Sequence, residues 1–281
     1  MKKREMTVLV NEIPRRVPKG TTLGEIKNKV KPEADIMIKS GFPSRPEEDI
    51  KNGDSIVLIK RGEVPSSKEL EVLMAARHTP GVHKRMKKSI IGIAGLGGLG
   101  STAAISLARM GIGRFILADY DIVEPSNLNR QQYNTEHIGT YKTEAIKGII
   151  SKINPNVQVE IHKVVLNQEN IPEIFKQADI ILECFDKSEE KQMIVEAVTE
   201  FMPEKFLIGV SGIAGYGRGD EIRIRRLGKN LIIVGDLKSA SEPGRGLMAP
   251  RVGIAANLQA DTAVSLLMDP EKTIKYIPEF K

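Results

Sequence analysis

Strands alternate with helices over residues 89–210, and a glycine turn closes the first of those strands. The first sixty or so residues show a separate order of hairpin, helix and two strands. Together these predict an α/β chain: a doubly wound, mostly parallel sheet with a smaller N-terminal β-grasp domain. The expected division is a β-grasp over 1–64, a helical linker over 65–88 and a main domain over 89–281.

In the first domain, Met6, Val8 and Val10 alternate with Thr7, Leu9 and Asn11. Glu12-Ile13-Pro14 then leads into Arg15–Val17, which reads as a hairpin. Thr22-Leu23-Gly24-Glu25 opens a helix to Val30, because a threonine and a glutamate at this spacing satisfy end amides reciprocally. A strand over Ala34–Ile38 and a loop over Gly41–Glu48 follow. A last strand, Ser55–Lys60, is entered through Asn52-Gly53-Asp54, and the order as a whole is that of the ubiquitin-like fold. Pro65-Ser66-Ser67 begins the linker, with a helix over Lys68–Arg77 and a basic helix after Gly81. The densest basic cluster, His83–Lys88, reads as a solvated helix face.

The main domain opens on Ser89–Gly95, a short apolar run expected to be a buried parallel strand. It runs into Gly95-Leu96-Gly97-Gly98-Leu99-Gly100, then Ser101-Thr102 and a helix to about Met110. A second strand, Phe115–Ala118, ends in Asp119-Tyr120-Asp121. Glycines there let backbone amides approach an anion at a helix N-terminus. Asp119, 19 positions after Gly100, can hold a ribose hydroxyl. Next come a helix over Tyr141–Ile153, a strand over Val157–Val164 and a short helix over Asn170–Gln177. Asp179–Phe185 is an apolar strand ending in Asp186, and Ser188–Phe201 is a helix with Ser188 as its N-cap and Glu190 in its first turn. Phe206–Val210 is a buried strand, Glu221–Arg226 and Leu231–Gly235 form an antiparallel pair, and a loop over Asp236–Pro250 precedes the last helix, Ile254–Met268.

The usual occupant of such a Rossmann-like unit is NAD. Ser126-Asn127-Leu128-Asn129-Arg130-Gln131-Gln132 argues for ATP instead. A dehydrogenase has no general need of a cation there, whereas triphosphate cleavage needs negative charge neutralised as pyrophosphate leaves. The net charge of +6 suits an anionic ligand or an acidic protein partner. Few aromatics and no RNA-binding signature make nucleic acid an unexpected partner. With no long apolar run and no signal-peptide core, a cytoplasmic location and no membrane contact are expected. The single cysteine, Cys184, excludes an internal disulfide and a Cys-based zinc site; inside an apolar strand it reads as a buried thiol.

The set Gly95-x-Gly97-Gly98-Leu99-Gly100-Ser101, Asp119-x-Asp121, Ser126–Gln131, Lys142 and Asp186 resembles the ubiquitin-activating superfamily. Within it, the similarity is to sulfur-carrier adenylyltransferases of the ThiF, MoeB and HesA type. Arg77-His78-Thr79-Pro80-Gly81 and Leu247–Val252 are similar to the shorter thiamine-pathway branch. Asn11, Gly20–Leu23 and Asn52–Asp54 resemble the small sulfur carriers of thiamine and molybdopterin synthesis, which end in a free Gly-Gly carboxylate. Here Arg61-Gly62-Glu63 runs on, and an internal glycine has no carboxylate to activate. The domain therefore reads as a fused packing or dimer module, or as a pseudo-carrier.

The resemblance implies that ATP converts the C-terminal glycine carboxylate of a carrier into an acyl-adenylate. Gly95, Gly97, Gly98 and Gly100 would cradle the cofactor, Asp119 would take the ribose, and Asp121, Ser126, Asn127, Asn129 and Gln131 would join the binding set. Arg130 and Lys142 would be catalytic cations on the triphosphate, and Asp186 would hold Mg²⁺. Arg77 is a candidate for an arginine supplied across a homodimer interface. Absence of paired Cys-x-x-Cys ligands and of a loop cysteine implies no zinc and a separate sulfur donor. The alternatives are an ATP-dependent tRNA threonylcarbamoyladenosine dehydratase, disfavoured by the modest charge, and a non-catalytic adaptor, disfavoured by intact Arg130, Lys142 and Asp186.

Overall fold

A computed structural model describes residues 4–77 and 80–280. The chain forms two compact units, one through Pro80 and one from Gly81. The first unit contains β1 (Glu5–Val10), β2 (Ile13–Pro18), α1 (Leu23–Val30), β3 (Ile36–Lys39), β4 (Phe42–Pro43), β5 (Ser55–Ile59) and α2 (Ser67–Arg77). Its sheet runs β2-β1-β5-β3-β4, with β1 and β5 parallel at the centre and every other pair antiparallel.

Asn11 and Glu12 turn the hairpin with φ of 47° and 64°, the left-handed pair that suits a two-residue connection. Asn11 also replaces missing ladder bonds: its Oδ1 accepts the Leu58 amide at 2.8 Å and its Nδ2 donates to the Leu58 carbonyl at 3.3 Å. The expected capping box is present. Glu25 N–H donates to Thr22 Oγ1 at 3.3 Å, and Thr22 N–H to Glu25 Oε2 at 3.0 Å. That start turns Leu23 and Ile26 into a core with Met6, Val8, Val10, Ile56 and Leu58. The stretch expected as loop over 41–48 holds β4, too short to show a pattern and carrying a Phe42 that is 74% exposed.

The unit boundary falls at the start of α3 (Pro80–Met86), and Lys84 and Arg85 on that helix and Lys87 and Lys88 in the turn after it are exposed as the basic cluster requires. The second unit continues with β6 (Ile90–Ala94), α4 (Gly98–Met110), β7 (Arg114–Ala118), α5 (Lys142–Ile153), β8 (Gln158–His162), α6 (Asn170–Phe175) and β9 (Ile180–Glu183). Then follow α7 (Ser188–Phe201), β10 (Phe206–Val210), β11 (Arg223–Arg226), β12 (Leu231–Gly235), α8 (Ala249–Met268) and α9 (Pro270–Tyr276). The seven-stranded sheet is ordered β11-β12-β10-β9-β6-β7-β8, parallel except for β11 at one edge.

Residue alternation sends the two faces of the strands into different cores. Ile91, Ile93, Leu182 and Ile208 pack with α4, α5 and α8, while Ile181 and Leu207 pack with α6 and α7. The chain starts mid-sheet at β6, runs out through β7 to β8, then returns to β9 on the other side of β6. The carboxyl ends of β6 and β9 therefore diverge, and a crevice opens at that switch point.

Several element ends differ from expectation by a few residues, and one helix was absent from it. Ser188 is the first residue of α7, not its cap; Lys187 holds the cap position and makes no side-chain cap bond. α8 starts at Ala249, with Pro250 tolerated in the first turn where its missing N–H costs nothing. α9, a single short stretch that begins at Pro270 and is capped by Asp269, has no expected counterpart. No helix among the described residues is long and apolar enough to cross a membrane.

Candidate active site

A cavity of about 300 Å³ occupies the switch point. Gly95, Gly97, Gly98, Asp119, Asp121, Asn127, Arg130, Gln131, Lys142 and Asp186 all line it, drawn from beyond the ends of β6, β7 and β9, from the connection between β7 and α5 and from the first residue of α5. Gly95 takes φ of 90°, which turns the chain out of β6 into the loop. Leu96, the next residue, is held at both backbone groups. Its amide donates to Asp119 Oδ2 at 2.6 Å, and its carbonyl accepts from the Tyr133 hydroxyl at 2.8 Å.

Asp119 Oδ1 takes the Asp121 amide at 2.7 Å. Burial raises the Asp119 pKa, opposed by the Lys142 charge and by those amides. Tyr133 is pushed well above its ordinary value, by burial first and then by the charges of Asp119 and Asp121, so it stays a donor. Lys142 begins α5 as expected. Its Nζ meets Asp121 Oδ2 at 2.6 Å and its amide donates to the Asp121 carbonyl at 2.9 Å, so Asp121 anchors the lysine.

Asn127 is buried in a 3₁₀ turn over Pro125–Asn129, where its Oδ1 accepts the Glu124 amide at 3.1 Å. Arg130 Nη1 donates to Asn129 Oδ1 at 2.9 Å, while Arg130 Nε and Gln131 Oε1 are buried with no hydrogen-bond partner. Buried polar atoms seldom remain unpaired, so two together beside a glycine loop mark a place for a polar ligand. Asp186 is exposed, and among the described residues its carboxylate has no hydrogen-bond or ion-pair partner.

Three of the expected residues do not reach this cavity. A Cβ on Gly100 would lie 1.9 Å from the Gly95 carbonyl oxygen, so this glycine permits close helix–strand packing. Ser126 is exposed and its hydroxyl donates to Glu124 Oε2 at 3.3 Å. Asn129 supports Arg130 from the side and lines a second cavity instead. The Arg77 side chain and His78-Thr79 lie outside the described residues.

That second cavity, about 740 Å³, shares Arg130, Phe185 and Asp186 among other residues with the first and is walled by Ser211–Ala214 and Ser239–Ser241. Asp236, which donates its amide to the Gly212 carbonyl at 3.1 Å, links these walls and forms a buried ion pair with Arg251 Nη2 through Oδ2. Arg251 Nη1 also donates to the Gly217 carbonyl at 2.7 Å, and Asp236 accepts the Ser239 hydroxyl at 2.6 Å. Burial pushes Asp236 up, but the Ser239 hydroxyl and amide, the Lys238 amide and the Arg251 charge outweigh it and leave the carboxyl below its ordinary range. Sequence reasoning passed over this pair, although Val234-Gly235-Asp236 repeats the pattern of an apolar strand ending in aspartate seen at Asp119 and Asp186.

Cys184 is buried, with its thiol 3.4 Å from Gln259 Oε1. Burial and the neighbouring Glu183 charge push its pKa far up, so no thiolate is present near neutral pH. Native protein at pH 8 is therefore expected to resist alkylation by iodoacetamide, and denatured protein to take up one equivalent, read by intact mass. A modified native protein would contradict the buried assignment.

Among the described residues no group of three or more His, Cys, Asp or Glu forms a metal cage. Magnesium held by one carboxylate together with phosphate oxygens needs none, and the unpaired Asp186 suits that donor set.

A Rossmann-like sheet with a cation-lined crevice, carried on the same chain as a ubiquitin-like unit, defines the class of protein. The chain belongs to the ThiF family, whose profile covers residues 71–280, and a ThiS-like ubiquitin profile covers residues 6–62. It is 35% identical over 135 residues to the adenylyltransferase and sulfurtransferase UBA4 of Candida albicans, covering 48% of this chain and 30% of that protein. It is 34% identical over 175 residues to ubiquitin-like modifier-activating enzyme 5 of Drosophila willistoni, covering 57% of this chain and 43% of that one. The chain thus spans less than half the length of these curated relatives. Escherichia coli tRNA N6-threonylcarbamoyladenosine dehydratase in complex with ATP matches with a TM-score of 0.63 at 20% identity, over 72% of this chain and 94% of that one. At this identity the likeness is one of fold.

Proposed function

We propose that the protein adenylates the C-terminal glycine carboxylate of a ubiquitin-like sulfur carrier, with ATP in the first cavity and the carrier tail in the second. The observation that carries this reading is the meeting of the two cavities at Arg130 and Asp186. An anionic tail entering one side would reach a triphosphate seated on the other. The carboxylate oxygen bonds to the α-phosphorus, the bond from that phosphorus to the bridging oxygen breaks, and pyrophosphate leaves with the electron pair. A carboxylate is already ionised, so no general base is needed; positioning and charge neutralisation carry the step.

Gly97 and Gly98 line the first cavity at the start of α4, where their amides would receive the phosphates. Asp119 already accepts two backbone amides, so it meets ribose hydroxyls through its remaining lone pairs. Lys142 keeps two N–H groups beyond its bond to Asp121, and Arg130 offers its unpaired Nε; both place positive charge on the triphosphate. Asp186 would hold Mg²⁺, which supplies further neutralisation of the leaving pyrophosphate when bound. The carrier of thiazole synthesis is the substrate we favour, with a separate sulfur donor and a cytoplasmic homodimer as the working form.

The test is pyrophosphate–ATP exchange with candidate carriers ending in Gly-Gly, run beside total tRNA. Exchange is expected to require both the carrier and magnesium, and to vanish when the last glycine of the carrier is removed. ATP turnover that responds to tRNA and ignores every carrier would overturn the reading.

A further inference from the structure

Glu183, the last residue of β9, is a buried carboxylate that the reaction above does not use. Its Oε1 accepts the Phe185 amide at 2.8 Å, and Phe185 is the residue immediately before Asp186. Its Oε2 accepts the Val210 amide at 3.3 Å at the end of β10. Lys191, one turn into α7, donates to Glu183 Oε1 at 2.8 Å and to the Val210 carbonyl at 2.9 Å. The glutamate side chain is 3% exposed, and the lysine is 26% exposed and lines the second cavity.

A buried ion pair is weak evidence of stabilisation by itself, because desolvation offsets most of the attraction. This one is aimed, however. It grips the segment that leads into Asp186 on one side and the start of the Ser211–Gly212 wall on the other. We propose that Glu183 and Lys191 are positioning residues that fix where Asp186 presents its carboxylate between the two cavities. The proposal rests on the adenylation reading, in which Asp186 holds magnesium.

The test compares Glu183→Gln/Lys191→Met, which removes both charges and so strands neither, with Lys191→Arg, which keeps the cation. Three quantities are read by calorimetry: the apo melting temperature, AMP affinity without metal, and the magnesium concentration that half-saturates binding of a non-hydrolysable ATP analogue. In the double variant half-saturation is expected to rise by about 10- to 100-fold, the usual cost of losing a residue that orients a metal ligand. AMP affinity is expected to hold, and Lys191→Arg to keep the wild-type magnesium dependence. Glu183→Gln alone serves if the double variant does not fold.

A folded variant with wild-type magnesium dependence would overturn the proposal. So would equal weakening of AMP and magnesium–nucleotide binding, which would make the pair a general scaffold. Failure of the wild-type protein to bind nucleotide would instead overturn the adenylation reading, and this proposal with it.

Discussion

Lys142→Met is expected to lower carrier-dependent pyrophosphate exchange by about 10²- to 10³-fold, the scale seen when one preorganised donor is removed from developing charge. The methionine keeps the volume and the helix start, so the loss falls on charge. Two consequences separate this from misfolding. Asp121 loses its buried partner but stays half-exposed, so water can take over its solvation. Asp119 loses the charge that holds its pKa down, so burial raises it further. A carboxyl whose folded pKa lies above its unfolded value binds more protons when folded, so stability falls as pH rises through that window. The melting-temperature deficit of Lys142→Met should therefore be largest near neutral pH and shrink toward the ordinary carboxylate range. A variant as active as wild type, or a deficit that grows on acidification, would contradict the arrangement.

Gly100→Ala is expected to be among the most damaging single-methyl changes in the second unit. The added Cβ would sit 1.9 Å from the Gly95 carbonyl oxygen, which is backbone in the loop under α4 and has no flexible end to swing aside. Either the helix backs off or the loop deforms, at a cost of about 3 kcal/mol or more, the upper range for overpacking. Urea unfolding followed by far-UV circular dichroism measures it. Gly148→Ala is the control. That glycine lies in α5 with nothing within 4 Å of a built Cβ, so the same change there should be neutral or stabilising by about 0.5–1 kcal/mol. A loss at Gly148 as large as that at Gly100 would mean that the contact with Gly95 is not what makes Gly100 sensitive.

Local chemistry made much of the site legible in sequence. The strand, glycine turn, helix and terminal aspartate all lie within 30 residues of chain, and Lys142 and Asp186 stand at element ends where backbone geometry aims them at the crevice. The same spacing misplaced Gly100, because a phosphate glycine and a packing glycine look alike until the helix is seated on its strand. Features built from distant segments were not legible. Tyr133 reaches back 37 positions to Leu96, Arg251 reaches Gly217 across 34, and Gln259 donates to the Glu183 carbonyl across 76. No periodicity encodes such pairings. Lys191 reads as one more charge on an amphipathic helix until β9 and β10 are laid side by side.

The double hold on Leu96 carries a further thermodynamic meaning. With its amide on Asp119 and its carbonyl on Tyr133, the turn that would receive the phosphates is fastened by groups of the chain itself. Little conformational freedom is left there to lose upon association, so affinity need not be drained by freezing a floppy segment. Tyr133→Phe would release one of the two fastenings without adding bulk. The resulting penalty should surface as a more negative binding entropy for nucleotide, with the contacts to the phosphates themselves intact.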